Sequence, residues 1–285
     1  LEERSGKPVL GVVPYLDVAL EDEDSLSTAL EKQAATEGLD IAVIRLPRIS
    51  NFTDFTALAT EPNVSVRYVS SVHELGDPDV LILPGTKSTI RDLDWLRSTG
   101  LEAKILQKHA KGTWILGICG GFQMLGRDVL DLEGVEGPSG AHARGLGLLP
   151  IHTEFEAEKA RTQTELTLEG LKGDFAALNG QQVIGYEIHM GRTTMEKTGI
   201  SCRYAQEANV FGTYVHGFFD QDRLRKSFID EACRRKGIDP EGREVVNYEA
   251  FKEVQFQKLS QALRASLDLE KIYEMTFGKG SGKRA

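Results

Sequence analysis

The stretch WILGICGGFQMLG, residues 114 to 126, sets an apolar run against a cysteine, two glycines and a second apolar run with helical spacing. The first run predicts a buried strand over Trp114–Ile118 and the second a helix over Phe122–Leu130, with Cys119 on the turn between them. Gly117, Gly120 and Gly121 supply the missing side chains that let a backbone bend sharply there. A cysteine buried only as a small hydrophobe needs no glycines crowded against it. G-I-C-G-G therefore reads as a nucleophile elbow, which holds a reactive side chain out at the tip of a strand-to-helix turn. Backbone N–H groups at the helix start favour negative charge on the sulfur. The N–H of Gly120 points toward where an oxyanion would form beside it.

Working outward, the runs DIAVIRLP (Asp40 to Pro47), VSVRYV and DVLILPGT predict further strands, the first two rich in β-branched residues and the last ending in a Pro-Gly turn. Between and after them, NFTDFTALA predicts a short helix capped by Asn51 or Thr53, and STIRDLDWLRS and LEAKILQKHAKG predict two more, the latter stopped by Gly112. Strands alternating with helices argue for a parallel sheet covered on both faces. Upstream, Val9 to Val13 predicts a strand ended by Pro14, and EDEDSLSTALEKQAA a short helix. The glycine-rich stretch from Asp131 to Gly147 predicts a loop. GLGLLPIHTEF, TQTELTLEG, QQVIGYEIHMGRT and ANVFGTYVHGFF predict paired strands, as an antiparallel elaboration or as edge strands of the same sheet. DRLRKSFIDEACRRKG and the stretch from Tyr248 to Met275 predict helices, and GKGSGKRA a flexible basic tail.

With 285 residues the chain is long enough for one large or two modest domains. Its net charge of −9 argues against general nucleic-acid binding, which relies on clustered Lys and Arg. No apolar run approaches the roughly 20 residues that cross a bilayer, and the opening LEERSGKPVL lacks the pattern of a signal peptide. That opening, without methionine, reads as a fragment or processed piece. Cys119, Cys202 and Cys233 are three, widely separated and without a C-x-x-C pair, so neither a disulfide framework nor a zinc site follows; a reducing, cytoplasmic setting is expected and no metal is assigned. Cys202 and Cys233 have no glycine elbow and are given no chemistry.

A thiolate nucleophile needs a base within hydrogen-bond reach. Of six histidines, His216 in FGTYVHGFFD ends an apolar strand-like run and meets Gly217, which presents it at a strand end, where α/β sites lie. His189 in YEIHMGRT is second. His73, His109, His142 and His152 are read as surface or loop residues.

Four motifs, DVLILPGTKST, LGICGGFQMLG, GYEIHMGRT and GTYVHGFFD, occur in the order in which they stand in the class I glutamine amidotransferase domain, which the chain resembles over about residues 40 to 275. The resemblance implies a Rossmann-like three-layer α/β/α sandwich with a mostly parallel central sheet and antiparallel additions. It implies that Cys119 attacks the side-chain amide of glutamine and that His216 passes the proton to the leaving ammonia. It further implies that the N–H groups of Gly85 and Gly120 form the oxyanion hole, and that Gln123 helps hold the glutamine. VIRLPRISNFTDFTAL and YEIHMGRT resemble, more narrowly, the branch that amidates corrinoids in the cobalamin pathway. That branch implies ammonia transfer to an ATP- and Mg-dependent synthase domain of the dethiobiotin-synthetase-like group, which amidates the b, d, e and g side chains of adenosylcobyrinic acid a,c-diamide. Residues 1–39 would then be the end of that synthase domain and a linker, 40–277 the amidotransferase domain and 278–285 the tail. The chain has no G-x-x-x-x-G-K-[ST] loop of its own, so no cofactor is expected in it. Rival readings are the amidotransferase of cobyrinic acid a,c-diamide synthase or of a cell-wall amidating complex, a cysteine hydrolase on the same fold, and a non-catalytic binding module.

One position departs from many class I relatives. They place a glutamate two residues after the histidine, where this chain has Phe218. The pair therefore reads as a dyad, with Glu187, Asp220 or a backbone carbonyl left to orient His216.

Overall fold

The computed structural model describes residues 1–18 and 38–278. The helix expected in EDEDSLSTALEKQAA and the tail beyond residue 278 lie outside them. In chain order the elements begin with α1 (Glu2–Ser5), β1 (Leu39–Ile44), a 3-10 turn (Phe52–Phe55) running into α2 (Thr56–Ala59), β2 (Val64–Val69) and α3 (Val72–Leu75). Next come β3 (Val80–Leu83), α4 (Thr89–Ser98), α5 (Leu101–Ala110), β4 (Trp114–Ile118), α6 (Gly120–Leu125), β5 (Asp128–Asp131) and β6 (Ala141–Arg144). The chain continues through β7 (Ile151–Thr167), a 3-10 turn (Gly173–Leu178), β8 (Gln182–Met195), β9 (Tyr204–Glu207) and β10 (Val210–Thr213). It closes with α7 (Asp222–Lys236), α8 (Tyr248–Ser266) and α9 (Leu269–Phe277).

Six strands form the main sheet in the order β2-β1-β3-β4-β10-β9. All neighbours are parallel except β9, which runs antiparallel to β10 at the edge. Every apolar side chain of Ile41–Ile44, Val80–Leu83 and Trp114–Ile118 is at most 1% exposed. Such unbroken apolar runs belong to strands buried on both faces, and α4 and α7 bury Leu93, Leu96, Leu224, Phe228 and Ile229 among the same core. Leu83 pairs with Gly117, and Gly117 with Gly212. The carboxyl ends of β3, β4 and β10 therefore lie side by side, and Gly85, Cys119 and His216 follow them directly. In an open α/β sheet this is where ligands bind.

The second half builds a separate sheet, in the order β6-β5-β7-β8. β7 and β8 pair antiparallel from Ile151↔Met195 to Thr167↔Gln182, with Glu156–Lys159 unopposed between Phe155 and Ala160. The expected helix over Phe122–Leu130 is corrected here. Gly126 leaves helical geometry, and Asp128–Asp131 buries alternate residues as a strand does, pairing with β6 and β7. The loop expected from Asp131 to Gly147 contains β6. His142 and His152 sit on β6 and β7 with their side chains at the surface, as expected, and flank Asp128 at 2.9 and 3.2 Å.

The chain divides into two compact units, Asp22–Val246 and a smaller one formed by Leu1–Glu21 with Asn247–Ala285. This grouping places the residues from Asn247 onward with the first 21. Within the smaller unit the strand expected over Val9–Val13 is absent: only Gly11 bridges to Leu267, and Val12 is exposed. The single helix expected over Tyr248–Met275 is broken at that bridge. Asp268 donates its N–H to Leu10 and caps α9 by accepting from Lys271 N–H. Among the described residues no helix is long and apolar enough to cross a membrane.

Candidate active site

Cys119 is the residue between β4 and α6, with φ 52° and ψ −109°. A side chain rarely tolerates that backbone, and strain of this kind collects at functional turns. The neighbours make the bend possible. A Cβ on Gly121 would stand 1.9 Å from the Leu83 carbonyl oxygen, and one on Gly117 would stand 2.6 Å from that of Gly121. Only glycine lets α6 start this close to the ends of β3 and β4. Cys119 N–H donates to the Thr213 carbonyl at 2.8 Å, which ties the elbow to β10. Its sulfur lies 3.7 Å from the Ile188 carbonyl of β8. All three cysteines are free thiols. Burial pushes the Cys202 thiol up to about 11 and raises that of Cys233.

His216 lies beyond β10 and is fully buried. Backbone bonds between His216 and Tyr186, at 2.9 and 3.2 Å, lay this segment along β8. A Cβ on Gly185 would meet the His216 carbonyl oxygen at 2.0 Å, so the glycine of GYEIH makes that approach possible. The Tyr186 ring stacks on the imidazole, centroids 5.1 Å apart. Nδ1–H donates to Asp54 Oδ2 at 2.7 Å, and the other Asp54 oxygen accepts from Gly217 N–H at 3.0 Å. Nε2 makes no hydrogen bond within ordinary limits, and the Cys119 sulfur is close enough to act on the ring. Burial works against the imidazolium. The Asp54 charge and hydrogen bond, with the sulfur, outweigh it and raise His216 to about 10.

Asp54 reaches the site because the chain past β1 runs along the end of β3. Ser50 N–H donates to the Gly85 carbonyl, and Lys87 N–H to that of Arg48, both at 2.9 Å. Asn51, in the left-handed region at φ 52°, turns the chain into the 3-10 turn that carries Asp54. Asn51 sits at the cap position without a capping side-chain bond; its amide donates to the Tyr186 hydroxyl at 2.6 Å. The carboxylate expected from Glu187 or Asp220, or replaced by a carbonyl, is therefore supplied by Asp54. Glu187 instead accepts from Thr164 at 3.0 Å and stands 3.3 Å from both His189 and Arg203. Phe218, at the position where many class I relatives carry a glutamate, is 1% exposed in an aromatic cluster with Phe211 and Phe219. Asp54 was missed because an acidic residue in a first helical turn looks like a dipole partner. The one available signal was Phe218 itself, which meant that any carboxylate had to come from elsewhere.

The other expected site residues are placed as follows. Gly85 lies against the imidazole, where an added Cβ would stand 3.3 Å from His216 Cε1. Gly120 opens α6, where a Cβ would stand 3.0 Å from the backbone nitrogen of Thr86, the neighbour of Gly85. Cys119, His216, Gly85 and Gly120 thus share one locus. Gln123 is 2% exposed, and its amide is committed within the protein: its oxygen accepts from Thr89 Oγ1 at 2.8 Å and its nitrogen donates to the Tyr214 hydroxyl at 3.2 Å. His189, the second base candidate, stacks on Tyr214 at 3.7 Å and donates Nδ1–H to the Gly191 carbonyl at 2.7 Å.

Residues 40–224 match the CobB/CobQ-like glutamine amidotransferase domain. Two similar proteins are cobyric acid synthases. That of Lachnoclostridium phytofermentans is 47% identical over 94% of this chain and 56% of its own length, and that of Ruminiclostridium cellulolyticum 45% identical over 94% and 55%. The chain thus spans about half the length of the curated relatives it matches. In fold it is similar to the structure of PurLQS from Thermotoga maritima, with a TM-score of 0.51 and 18% identity over 69% of this chain and 96% of that one. The α/β architecture, the elbow at residue 119 and the match over residues 40–224 agree, and the chain belongs to the CobB/CobQ-like glutamine amidotransferase domain family.

Proposed function

We propose that the chain is the glutamine-hydrolysing part of a cobyric acid synthase, with Cys119 as nucleophile and His216 as its proton carrier. The observation that supports it most is a strained cysteine at a strand-to-helix elbow beside a buried histidine backed by a carboxylate. In this reading the Cys119 sulfur attacks the side-chain amide carbon of glutamine, and the carbonyl oxygen takes up charge facing the N–H groups of Gly85 and Gly120. Collapse breaks the C–N bond, His216 gives its proton to the departing nitrogen, and ammonia leaves a γ-glutamyl thioester. Water, giving a proton to His216, then hydrolyses the thioester to glutamate and restores the sulfur.

Ammonia would pass to an ATP- and Mg-dependent synthase domain, there to amidate the b, d, e and g carboxylates of adenosylcobyrinic acid a,c-diamide. The likeness to two cobyric acid synthases supports this narrower assignment; a reducing, cytoplasmic setting belongs to the same proposal and accords with three free thiols. C119A tests the core of the reading: glutamate release is expected to fall to background. Unchanged turnover in that variant would refute it. Glutamine consumption that rises when the synthase portion, ATP and the corrinoid are added together tests the coupling.

A further inference from the structure

Resting on the reading of the chain as part of a cobyric acid synthase, we propose that α8 and α9, with the segment around Gly11, form the face on which the synthase portion docks. The amidotransferase domain then stops before Asn247, and the boundary expected at residue 277 moves there. Ten of the fourteen large apolar side chains exposed among the described residues lie in this smaller unit. Apolar side chains gathered in this way mark a surface that something else covers.

The need for a partner is greatest at α9. It buries none of its nine residues, and a helix that short does not hold together in water by propensity alone. With successive residues about 100° apart around the axis, Glu270, Lys271 and Glu274 fall together on one side. Leu269, Ile272, Tyr273, Met275 and Phe277 cover the remaining arc of about 200°, roughly twice the stripe that a helix turns toward a single core. Tyr273, Met275 and Phe277 are nevertheless 40%, 65% and 67% exposed. The Tyr273 and Phe277 rings stack with centroids 6.2 Å apart, a paired aromatic anchor of the kind that carries binding energy once covered. α8 likewise buries only Tyr248 and Gln255 of its 19 residues, and Phe256 is 55% exposed.

Two observations point to the occupant. The match to the amidotransferase domain ends at residue 224, while the two cobyric acid synthases match 94% of the chain, a share that takes in most of both flanks. The flanks are thus shared with proteins of which this chain spans only 56% and 55%. The second observation is continuity. Residues 1–39 resemble the end of the synthase domain, and part of that stretch is laid on the helices. Gly11 bridges to Leu267, and Asp268 donates its N–H to the Leu10 carbonyl at 2.6 Å. A Cβ on Gly11 would stand 2.0 Å from the Ser266 carbonyl oxygen, so the approach is one that glycine permits. The same polypeptide leads from the synthase portion to α8 and α9, with Val12 and Tyr15 exposed just past the bridge.

The test compares this chain by itself with the same chain joined to the synthase portion. Peroxide oxidation read by mass spectrometry uses Met275 as the reporter and the fully buried Met124 as the control. In the joined protein Met275 is expected to oxidise about ten-fold more slowly, and the α9 amides to exchange with solvent about 100-fold more slowly. Y273D combined with F277D should restore fast oxidation of Met275 in the joined protein. With chain and synthase portion supplied separately, the same variant should weaken their association about 100-fold and leave glutamine turnover by the chain alone unchanged. Equal oxidation of Met275 in the chain alone and in the joined protein overturns the proposal, and needs no variant to measure. So does light scattering that finds the chain alone to be a dimer with Met275 already protected, since the occupant is then a second copy. Oxidation and exchange do not depend on glutamine. A chain that releases no glutamate would therefore refute the proposed function, while these rates still decide what covers α8 and α9.

Discussion

Replacing Cys119 by alanine and by glycine separates the strain at the elbow from the chemistry of the thiol. Both variants lose the sulfur, so they differ only in one Cβ. At an unstrained position the glycine variant is the less stable, by about 0.4–1 kcal/mol of unfolded-chain entropy. Because residue 119 is only 6% exposed, loss of the Cβ adds about 0.8 kcal/mol of lost burial. Without strain, glycine should therefore trail alanine by about 1–2 kcal/mol. At φ 52° and ψ −109° the balance reverses. This region is sparsely populated for residues with a Cβ, and holding one there costs about 2–3 kcal/mol, the upper part of the usual range. The outcome expected is that C119G is more stable than C119A by about 1 kcal/mol. For a unit of this size that is about 2–4 °C in melting temperature. Urea unfolding followed by circular dichroism, with melting curves on the same samples, reads the difference. If C119G proves less stable than C119A by 1 kcal/mol or more, the elbow stores no strain and the argument from its backbone geometry fails.

Two further predictions concern groups around the site. Arg225 is fully buried and donates to Glu61 at 2.7 Å and to the Phe219 carbonyl at 2.9 Å, binding the start of α7 to the segment that follows Asp54. R225M should cost about 3–5 kcal/mol in urea unfolding, because it leaves Glu61 and several carbonyls short of a donor; a loss below 1 kcal/mol would show that this bond is not structural. Burial raises Glu136 from 4.5 to about 7 against the N–H bonds it accepts from Thr89 and Ile90. A raised carboxyl binds protons more tightly in the folded state, so its penalty is absent below pH 4.5, grows as pH rises and is complete above 7. E136Q should thus match wild type at pH 4.5 and exceed it by about 2–3 kcal/mol at pH 8; a difference that does not grow with pH would refute the sign.

Several features of this protein were determined by short-range pattern. The unbroken apolar runs at Asp40–Pro47 and Trp114–Ile118 could satisfy their backbone and their side chains only as doubly covered strands. The three glycines around Cys119 could serve only a close, sharp bend, and the elbow followed from them. His216 was legible because an apolar run that ends in His-Gly presents its last side chain at a strand end.

What the sequence left open were contacts between segments far apart along the chain, where burial decides between local alternatives. Asp128–Asp131 follows a helix and has the composition to extend it, yet Gly126 and the edges of β6 and β7 make it a strand. The stretch from Tyr248 to Met275 carries a helical stripe throughout, and a bridge from Gly11 to Leu267 breaks it. The partner of His216 stands 162 positions upstream, in a turn whose own neighbours give no reason for an acid there except capping. An aspartate in a first helical turn and an aspartate holding an imidazolium have the same local sequence. Only the parallel sheet, by bringing the ends of β1, β3 and β10 together, turned the first into the second.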